Sequence, residues 1–443
     1  LVRTTGRARR KPRAGRAATD PTEPMGTESM EDLALDNALA SGRTYASLRD
    51  QHALFSRLRS EDPVHWTTPE GYRPFWAVTR HADIIEVERQ NAKFVNRLRT
   101  KLLSVEFEGK VKEAMAGKPM LVRALPQMDL PDHAAYRQLT AAWFQPRQLR
   151  SLEDRISDLA RRSVDDLLAR HGGGETFDFV DDFAVWYPLR VIMMILGLPK
   201  EDEPHLLKIT QAYFGGSDPE MQRGSDLIDA TMALVDYFKQ VSRDRRENPR
   251  DDVATIIANS KIDGEPIGEF ETYSYYIALI TAGHDTTSAT SAGGLLALIE
   301  SPSQWQLLKD RPDLTEKAIA EMVRWVSPVK HFFRTATEDY TLQGKTIKAG
   351  DFLMMCYPSG NRDDAVFDQP FEFRADRTPN RHLGYGYGIH ACIGLHLANL
   401  ELEILFKELL TRVGRFELAG PHSWVETAFL GGLKHLPVRL SPV

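Results

Sequence analysis

The chain has 443 residues, 42% hydrophobic and 27% charged, which is ordinary for a globular protein and long enough for two or three domains or one large one. A net charge of −6 gives no global reason to expect nucleic-acid binding, and two cysteines exclude a disulfide scaffold and suit a reducing cytosol. No apolar run near the N-terminus is long enough to cross a membrane or to form a signal-peptide core, so a cytoplasmic protein without a membrane anchor is expected.

Residues 1–30 differ from the rest. Arg3, Arg7, Arg9, Arg10, Lys11, Arg13 and Arg16 precede the first acid, Asp20, and large apolar residues are nearly absent. A segment of this kind buries too little surface to order itself, so a disordered basic tail is favoured over a basic arm for nucleic acid or membrane. The folded unit is expected at 31–443.

Aromatic and β-branched residues among turn residues at 64–78 predict two short strands, followed by a helix at 81–88. Residues 97–126 show no clean period and are expected to form a long irregular connection. Pro131-Asp132-His133 marks a helix start, with His133 and Arg137 one turn apart on a face. Leu152, Ile156, Leu159, Val164 and Leu167 recur helically up to Gly172, and Ile228, Met232, Val235, Phe238 and Val241 do so later. Between them, residues 215–219 (Gly-Gly-Ser-Asp-Pro) predict a mobile connection.

From 272 to 299 there is no lysine, arginine or glutamate, and the only carboxylate is Asp285. A polar cluster in so apolar a helix is costly without partners or a purpose. Its stretch Ala282-Gly283-His284-Asp285-Thr286-Thr287 runs against helix propensity and predicts a local distortion. A purely structural arrangement is also open, with Asp285 on a core arginine and Thr286 bonded to the preceding turn. Glu321 and Arg324, three apart among apolar residues, are placed to pair in a partly buried helix that Pro328 ends. Ile347, Phe352, Leu353 and Met354 about the turn at 348–351 predict a hairpin, and Cys356 reads as inert core.

Near the C-terminus, Leu383-Gly384-Tyr385-Gly386-Tyr387-Gly388-Ile389-His390-Ala391-Cys392-Ile393-Gly394 places a single cysteine at the start of a helix carried by Leu395, Leu397, Leu400, Ile404, Leu405, Leu409 and Leu410, with Glu401, Glu403, Lys407 and Glu408 between them. The helix dipole and the glycine-rich backbone favour the thiolate. A nucleophile wants a held base, and His390 serves equally well as a structural residue; a redox thiol wants a resolving cysteine at close spacing; zinc wants more ligands. A lone thiolate in a shielded, amide-lined loop suits the axial ligand of a haem iron.

At this point the chain resembles the cytochrome P450 haem-thiolate monooxygenases. Residues 385–394 match F-G-x-G-x-H-x-C-x-G at every fixed position but the first, where Tyr385 replaces phenylalanine, and Ala282 to Thr287 match A/G-G-x-D/E-T-T/S. The phrases at 281–288, 380–384 and 143–146 are most similar to the bacterial terpineol-hydroxylating type. The resemblance, running from about residue 40 to 443, implies one triangular, mainly α domain with a smaller β-rich part, holding haem b between the Asp285 helix and the Cys392 loop. By resemblance, Cys392 ligates the iron; His133, Arg137, Arg334 and His382 contact the propionates; and the ring of Tyr385 shields the sulfur, where its hydroxyl is expected to add a hydrogen bond. Gly283 leaves room for dioxygen, Thr286 hydrogen-bonds it and Asp285 relays protons, while Glu321, Arg324 and Arg377 lock the cysteine loop in place.

The same likeness implies a small hydrophobic substrate, a terpenoid or an aromatic hydrocarbon, in a pocket that includes Tyr213, Phe214, Ile280, Val329, Phe332 and Phe429. It also implies a separate iron–sulfur ferredoxin and its reductase, docked near Arg147, Arg150 and Lys407, and a monomeric enzyme. A haem-thiolate peroxygenase or a non-catalytic haem-binding sensor is the alternative, and neither requires the Asp285-Thr286 pair. A hydrolase using the Cys392 thiolate would not retain haem.

Overall fold

The structure, a computed structural model, describes residues 30–215, 218–222 and 227–443. The basic segment therefore lies outside the described residues up to position 29, as do Gly216 and Ser217 of the 215–219 connection.

The stretch at 272–299, whose only carboxylate is Asp285, becomes the central helix, Glu269–Glu300. A helix apolar on all sides has to be covered on all sides. This one is: Trp186–Leu196, Leu227–Glu247 and Thr315–Val326 all pack against it. It runs unbroken through residues 282–287, so the expected distortion is absent from the helix itself. The threonine hydroxyls are absorbed by the preceding turn instead, Thr281 Oγ1 donating to Ile277 O at 2.6 Å and Thr290 Oγ1 to Thr286 O at 2.8 Å.

A five-stranded sheet forms the smaller β part. Val64–Thr67 and Phe75–Val78 make the predicted hairpin, in register Val64 to Val78; Phe352–Cys356 runs parallel to Phe75–Val78 and antiparallel to His331–Ala336, and Phe94–Val95 closes the far edge. Alternation sorts the side chains. Phe75, Ala77, Phe333, Met354 and Cys356 pack with Tyr45, Phe55 and Leu58 on one face; Val78, Leu353, Met355 and Ala336 pack with Ile84, Val87 and Leu383 on the other. Burial pushes the Cys356 thiol up, consistent with inert core.

Two expectations change. Residues 97–126 contain a helix, Val105–Ala114, started by Ser104, whose hydroxyl accepts from Phe107 N at 3.1 Å. No long apolar stripe announces it, because Val111 is its only buried residue. Nor do Ile347 and Phe352 belong to one hairpin: Lys345–Ile347 pairs back on Tyr340–Leu342, while Phe352–Cys356 enters the large sheet, so the turn at 348–351 changes sheets.

The helix Thr315–Val326 carries the buried ion network. Glu321 accepts from Arg324 twice at 2.7 Å, from Arg377 Nε at 3.0 and 3.1 Å, from Arg374 N at 3.0 Å and from Asn380 Nδ2 at 3.1 Å. The remaining guanidinium hydrogens go to carbonyls of Asn361, Pro370 and Glu372 from Arg324, and of Asp368, Gln369 and Glu372 from Arg377. Asn361 in turn accepts from Leu383 N at 2.7 Å, the first residue of the cysteine loop. Burial alone would raise the Glu321 carboxyl, but Arg324, the Arg374 N–H and Arg377 more than offset it and hold it below its ordinary 4.5. A depressed carboxyl contributes stability that is present above the unfolded value and lost as pH falls through the folded one. Glu321→Gln should therefore destabilise the protein by about 3–5 kcal/mol at neutral pH. The gap to wild type in denaturant unfolding should shrink below about pH 4; equal gaps at both pH values would count against the network.

Candidate active site

The central helix and the segment from Gly384 to Leu402 both line a cavity of about 240 Å³. From the helix come Leu279, Ala282, Gly283, Thr286 and Thr287; from the segment come Tyr385, His390, Cys392 and Glu401; Ile192, Val329 and Phe332 add apolar wall. A side chain on Gly283 would meet Ile192 at 3.0 Å, so glycine there keeps both the helix contact and the space beside it.

The cysteine loop turns through Gly388 at φ +70, where a Cβ would lie 2.8 Å from the Glu88 carbonyl oxygen. Cys392 N donates to Tyr385 O at 2.9 Å, and Gly394 then caps the helix Leu395–Arg412. Cys392 Sγ thus sits just outside a helix N-terminus and takes the Gly394 N–H. Even so, burial pushes its thiol up, with the Gly394 N–H and Arg137 offsetting part of the rise. The expected low thiol value is not a property of the protein alone. A metal ion on the sulfur reverses it, since a coordinating thiol is deprotonated outright. Tyr385, half-buried beside Cys392, donates its hydroxyl to Asn399 Oδ1 at 2.6 Å. The extra hydrogen bond expected from the phenylalanine-to-tyrosine change therefore ties the loop to the following helix, not to the sulfur.

Donors without acceptors collect on one side of the cavity. The rings of His133 and His390 lie 4.3 Å apart, and the buried Nε2 atom of each has no hydrogen-bond partner. Burial, then Arg334, His133 and Arg137, push His390 down to about 2, so both rings stay neutral near pH 7. Arg137 has no ion-pair partner among the described residues, whereas Arg334 gives one end to Glu88 at 2.7 Å. Burial pushes that Glu88 carboxyl up, with Arg334 and the Tyr357 hydroxyl opposing. Two guanidiniums and two orphaned imidazoles around one space form a site for carboxylates. This fits the propionates of haem b, and Cys392 Sγ is in the same lining.

His382 is not part of this group. Its Nδ1 accepts from Gly384 N at 3.2 Å, its ring lies 5.5 Å from that of Tyr385, and it is absent from the cavity lining. The histidine that faces the cavity is His390, two residues before the cysteine and already visible in the motif. Glu88 and Glu401 were also missed as site residues. Glu401, which follows the polar spacing of its helix, is 1% exposed, accepts from Thr287 Oγ1 at 3.0 Å, and is pushed well up by burial.

On the central helix, Thr286 faces the cavity with its hydroxyl donated to Ala282 O at 2.8 Å. Asp285 meets no core arginine. Its Oδ2 lies 3.5 Å from His284 Nδ1, has no hydrogen bond, and lines a second, smaller cavity. Of the expected pocket residues, Val329 and Phe332 line the large cavity. Tyr213, Phe214 and Phe429 form an aromatic group beside it, joined through the Phe332–Phe429 contact at 5.7 Å. Ile280 does not take part: it is fully buried in the main core, one position off the cavity-facing Leu279. Ile192, from the packed helix, takes the place expected of it.

The model of the family described as cytochrome P450 matches residues 206–423. Cytochrome P450-terp from a Pseudomonas species is 42% identical over 409 residues, spanning 90% of this chain and 95% of that protein. Linalool 8-monooxygenase from Pseudomonas putida is 35% identical over 392 residues, spanning 88% and 96%. Among solved structures, CYP108D1 from Novosphingobium aromaticivorans superposes with a TM-score of 0.86 at 40% identity, over 93% of this chain and 99% of that one. No helix among the described residues is long and apolar enough to cross a membrane. With relatives of this identity along nearly the whole chain, and a cavity lined by both a cysteine at a helix head and a set of carboxylate-binding side chains, the chain belongs to the cytochrome P450 family and is a haem b-dependent monooxygenase.

Proposed function

We propose that this enzyme hydroxylates a compact terpenoid, taking electrons from a separate iron–sulfur ferredoxin. The observation that carries the substrate class is the wall of Ile192, Leu279, Val329 and Phe332, which offers shape and apolar surface but few groups that would bind a polar body. The relatives named for linalool and for terp point the same way.

Haem b, when bound, supplies the iron on which dioxygen is reduced, so that RH, O2, two electrons and two protons become ROH and water. The chain's own residues do the rest. Cys392 Sγ would hold the iron, and Arg137, Arg334, His133 and His390 would hold the propionates. The apolar wall excludes water and orients the substrate, and Gly283 leaves space over the reacting position. Thr286, its hydroxyl hydrogen committed to Ala282 O, keeps Oγ1 lone pairs to accept a hydrogen bond, and Asp285, whose Oδ2 has no partner, is the neighbouring carboxyl group that would pick up a proton and pass it on.

Arg147 and Arg150 are exposed at the start of Pro146–His171, the helix that packs on Leu395–Arg412, and have no ion pair among the described residues. They support a docking face for an acidic ferredoxin better than Lys407, which Glu403 holds at 2.6 Å. A monomeric, cytoplasmic enzyme belongs to the same reading.

Titrating the ferric holoprotein with terpenoid alcohols and with small arenes tests the substrate class. Terpenoids should displace water from the iron, seen as a Soret shift to shorter wavelength, and yield a product labelled from 18O2. A response to arenes alone would overturn it. The propionate assignment separates two histidines: His390→Ala should speed haem transfer to apomyoglobin at least about tenfold, the effect of losing about 1.5–3 kcal/mol of charged hydrogen bonding. His382→Ala should leave that rate near wild type.

A further inference from the structure

Consecutive residues of the central helix face different spaces: Thr286 lines the large cavity, and Asp285 lines a second cavity of about 80 Å³. That volume has room for several waters, and water needs polar partners to stay there. The wall supplies them. Two buried oxygens, Asp285 Oδ2 and Gln211 Oε1, have no hydrogen-bond partner, and Ser288, about one helical turn beyond Asp285, is in the same lining. Val185, Leu430 and Leu433 keep the remainder apolar and narrow.

The same lining includes titratable side chains that reach solvent. Glu220, 55% exposed at its side chain, accepts from Lys434 Nζ at 3.1 Å and is hydrogen-bonded to His435 Nε2 at 2.8 Å. His435 Nδ1 meets Asp178 Oδ2 at 2.6 Å. Burial would lower the His435 value, but Glu220 and Asp178, one carboxylate at each ring nitrogen, outweigh it and raise the imidazole above its usual range. His284, next to Asp285, offers no competing path: it is fully buried, with Nε2 on Val185 O at 2.8 Å and Nδ1 on Thr210 Oγ1 at 3.2 Å.

We propose that the small cavity is the solvent-side half of the proton route. Protons enter at the Glu220–His435 pair, cross on water hydrogen-bonded to Gln211 and Ser288, and reach Asp285 Oδ2, which passes them to the Thr286 side of the helix. Each turnover takes two protons this way, matched by the two electrons from the ferredoxin, and one oxygen atom leaves as water. Gln211 and Ser288 are positioning residues that hold the water; neither touches the substrate. The route rests on the reading of Asp285 and Thr286 given above and adds where the protons come from.

The test compares Gln211→Leu with Gln211→Glu and Asp285→Asn in the holoenzyme, supplied with a ferredoxin, its reductase and a turned-over terpenoid. Gln211→Leu should cut product formed per electron by about tenfold, release the missing electrons as hydrogen peroxide and raise the solvent deuterium isotope effect. Gln211→Glu should restore coupling, which a purely structural loss would not allow. Ser288→Ala, a smaller change to the packing, should shift the same quantities in the same direction. A crystal structure of the wild-type holoenzyme should show ordered water within hydrogen-bonding distance of both Asp285 Oδ2 and Gln211 Oε1. Full coupling in Gln211→Leu and Ser288→Ala, or a dry cavity, would overturn the route even where Asp285→Asn uncouples. Unchanged coupling in Asp285→Asn would instead overturn the underlying reading of the acid, and the route with it.

Discussion

Everything at the site depends on a buried charge imbalance. Glu321 faces both Arg324 and Arg377, so one positive charge is in excess in a place no water reaches. Carbonyl oxygens between Asn361 and Glu372 take up that excess, which forces this irregular stretch to wrap around the two guanidiniums. Such a network adds little net stability over an apolar core, but breaking one member is costly, and so it fixes a single backbone path. The cysteine loop begins where that path ends, tied back through Asn361 to Leu383. The position of Cys392 is therefore inherited from a helix more than sixty residues earlier.

Around the cavity, burial is used to keep groups neutral or unpaired. His133 and His390 are held neutral with their Nε2 atoms unpartnered, Glu88 and Glu401 are pushed toward their neutral forms, and the Cys392 thiol is raised. Without haem these are costs. Together they describe a protein whose site is completed by a dianionic, thiolate-seeking cofactor, and whose stability is expected to be coupled to it. The central helix then separates two cavities, a large one that Thr286 lines and a small one that Asp285 lines, with the boundary falling between these consecutive residues.

Local signals of the fold were largely legible: the apolar run with Asp285 as its only carboxylate became the central helix, and the aromatic and β-branched residues among turn residues at 64–78 became a hairpin. What escaped was whatever depended on chain segments meeting. Glu401 follows a surface-like spacing, and only the arrival of Thr287 from another helix makes it a buried acid. Ile280 and Leu279 are equally apolar, and a one-residue rotation about the helix axis decides which faces the cavity. His390 and His382 flank the same loop, and the positive-φ glycines between them turn one inward and leave the other against Gly384. The Tyr385 hydroxyl needed a partner, but its choice of Asn399 over the sulfur depends on the helix that follows.

The measurement that tests the central claim most directly is the absorption spectrum of the purified, dithionite-reduced protein under carbon monoxide, taken for wild type and for Cys392→His. Wild type should give the long-wavelength Soret band of a thiolate-ligated haem, and the variant should retain haem while moving to the shorter-wavelength band of imidazole ligation. A wild-type protein that binds no haem, or one whose band is the same with and without the cysteine, would contradict the account.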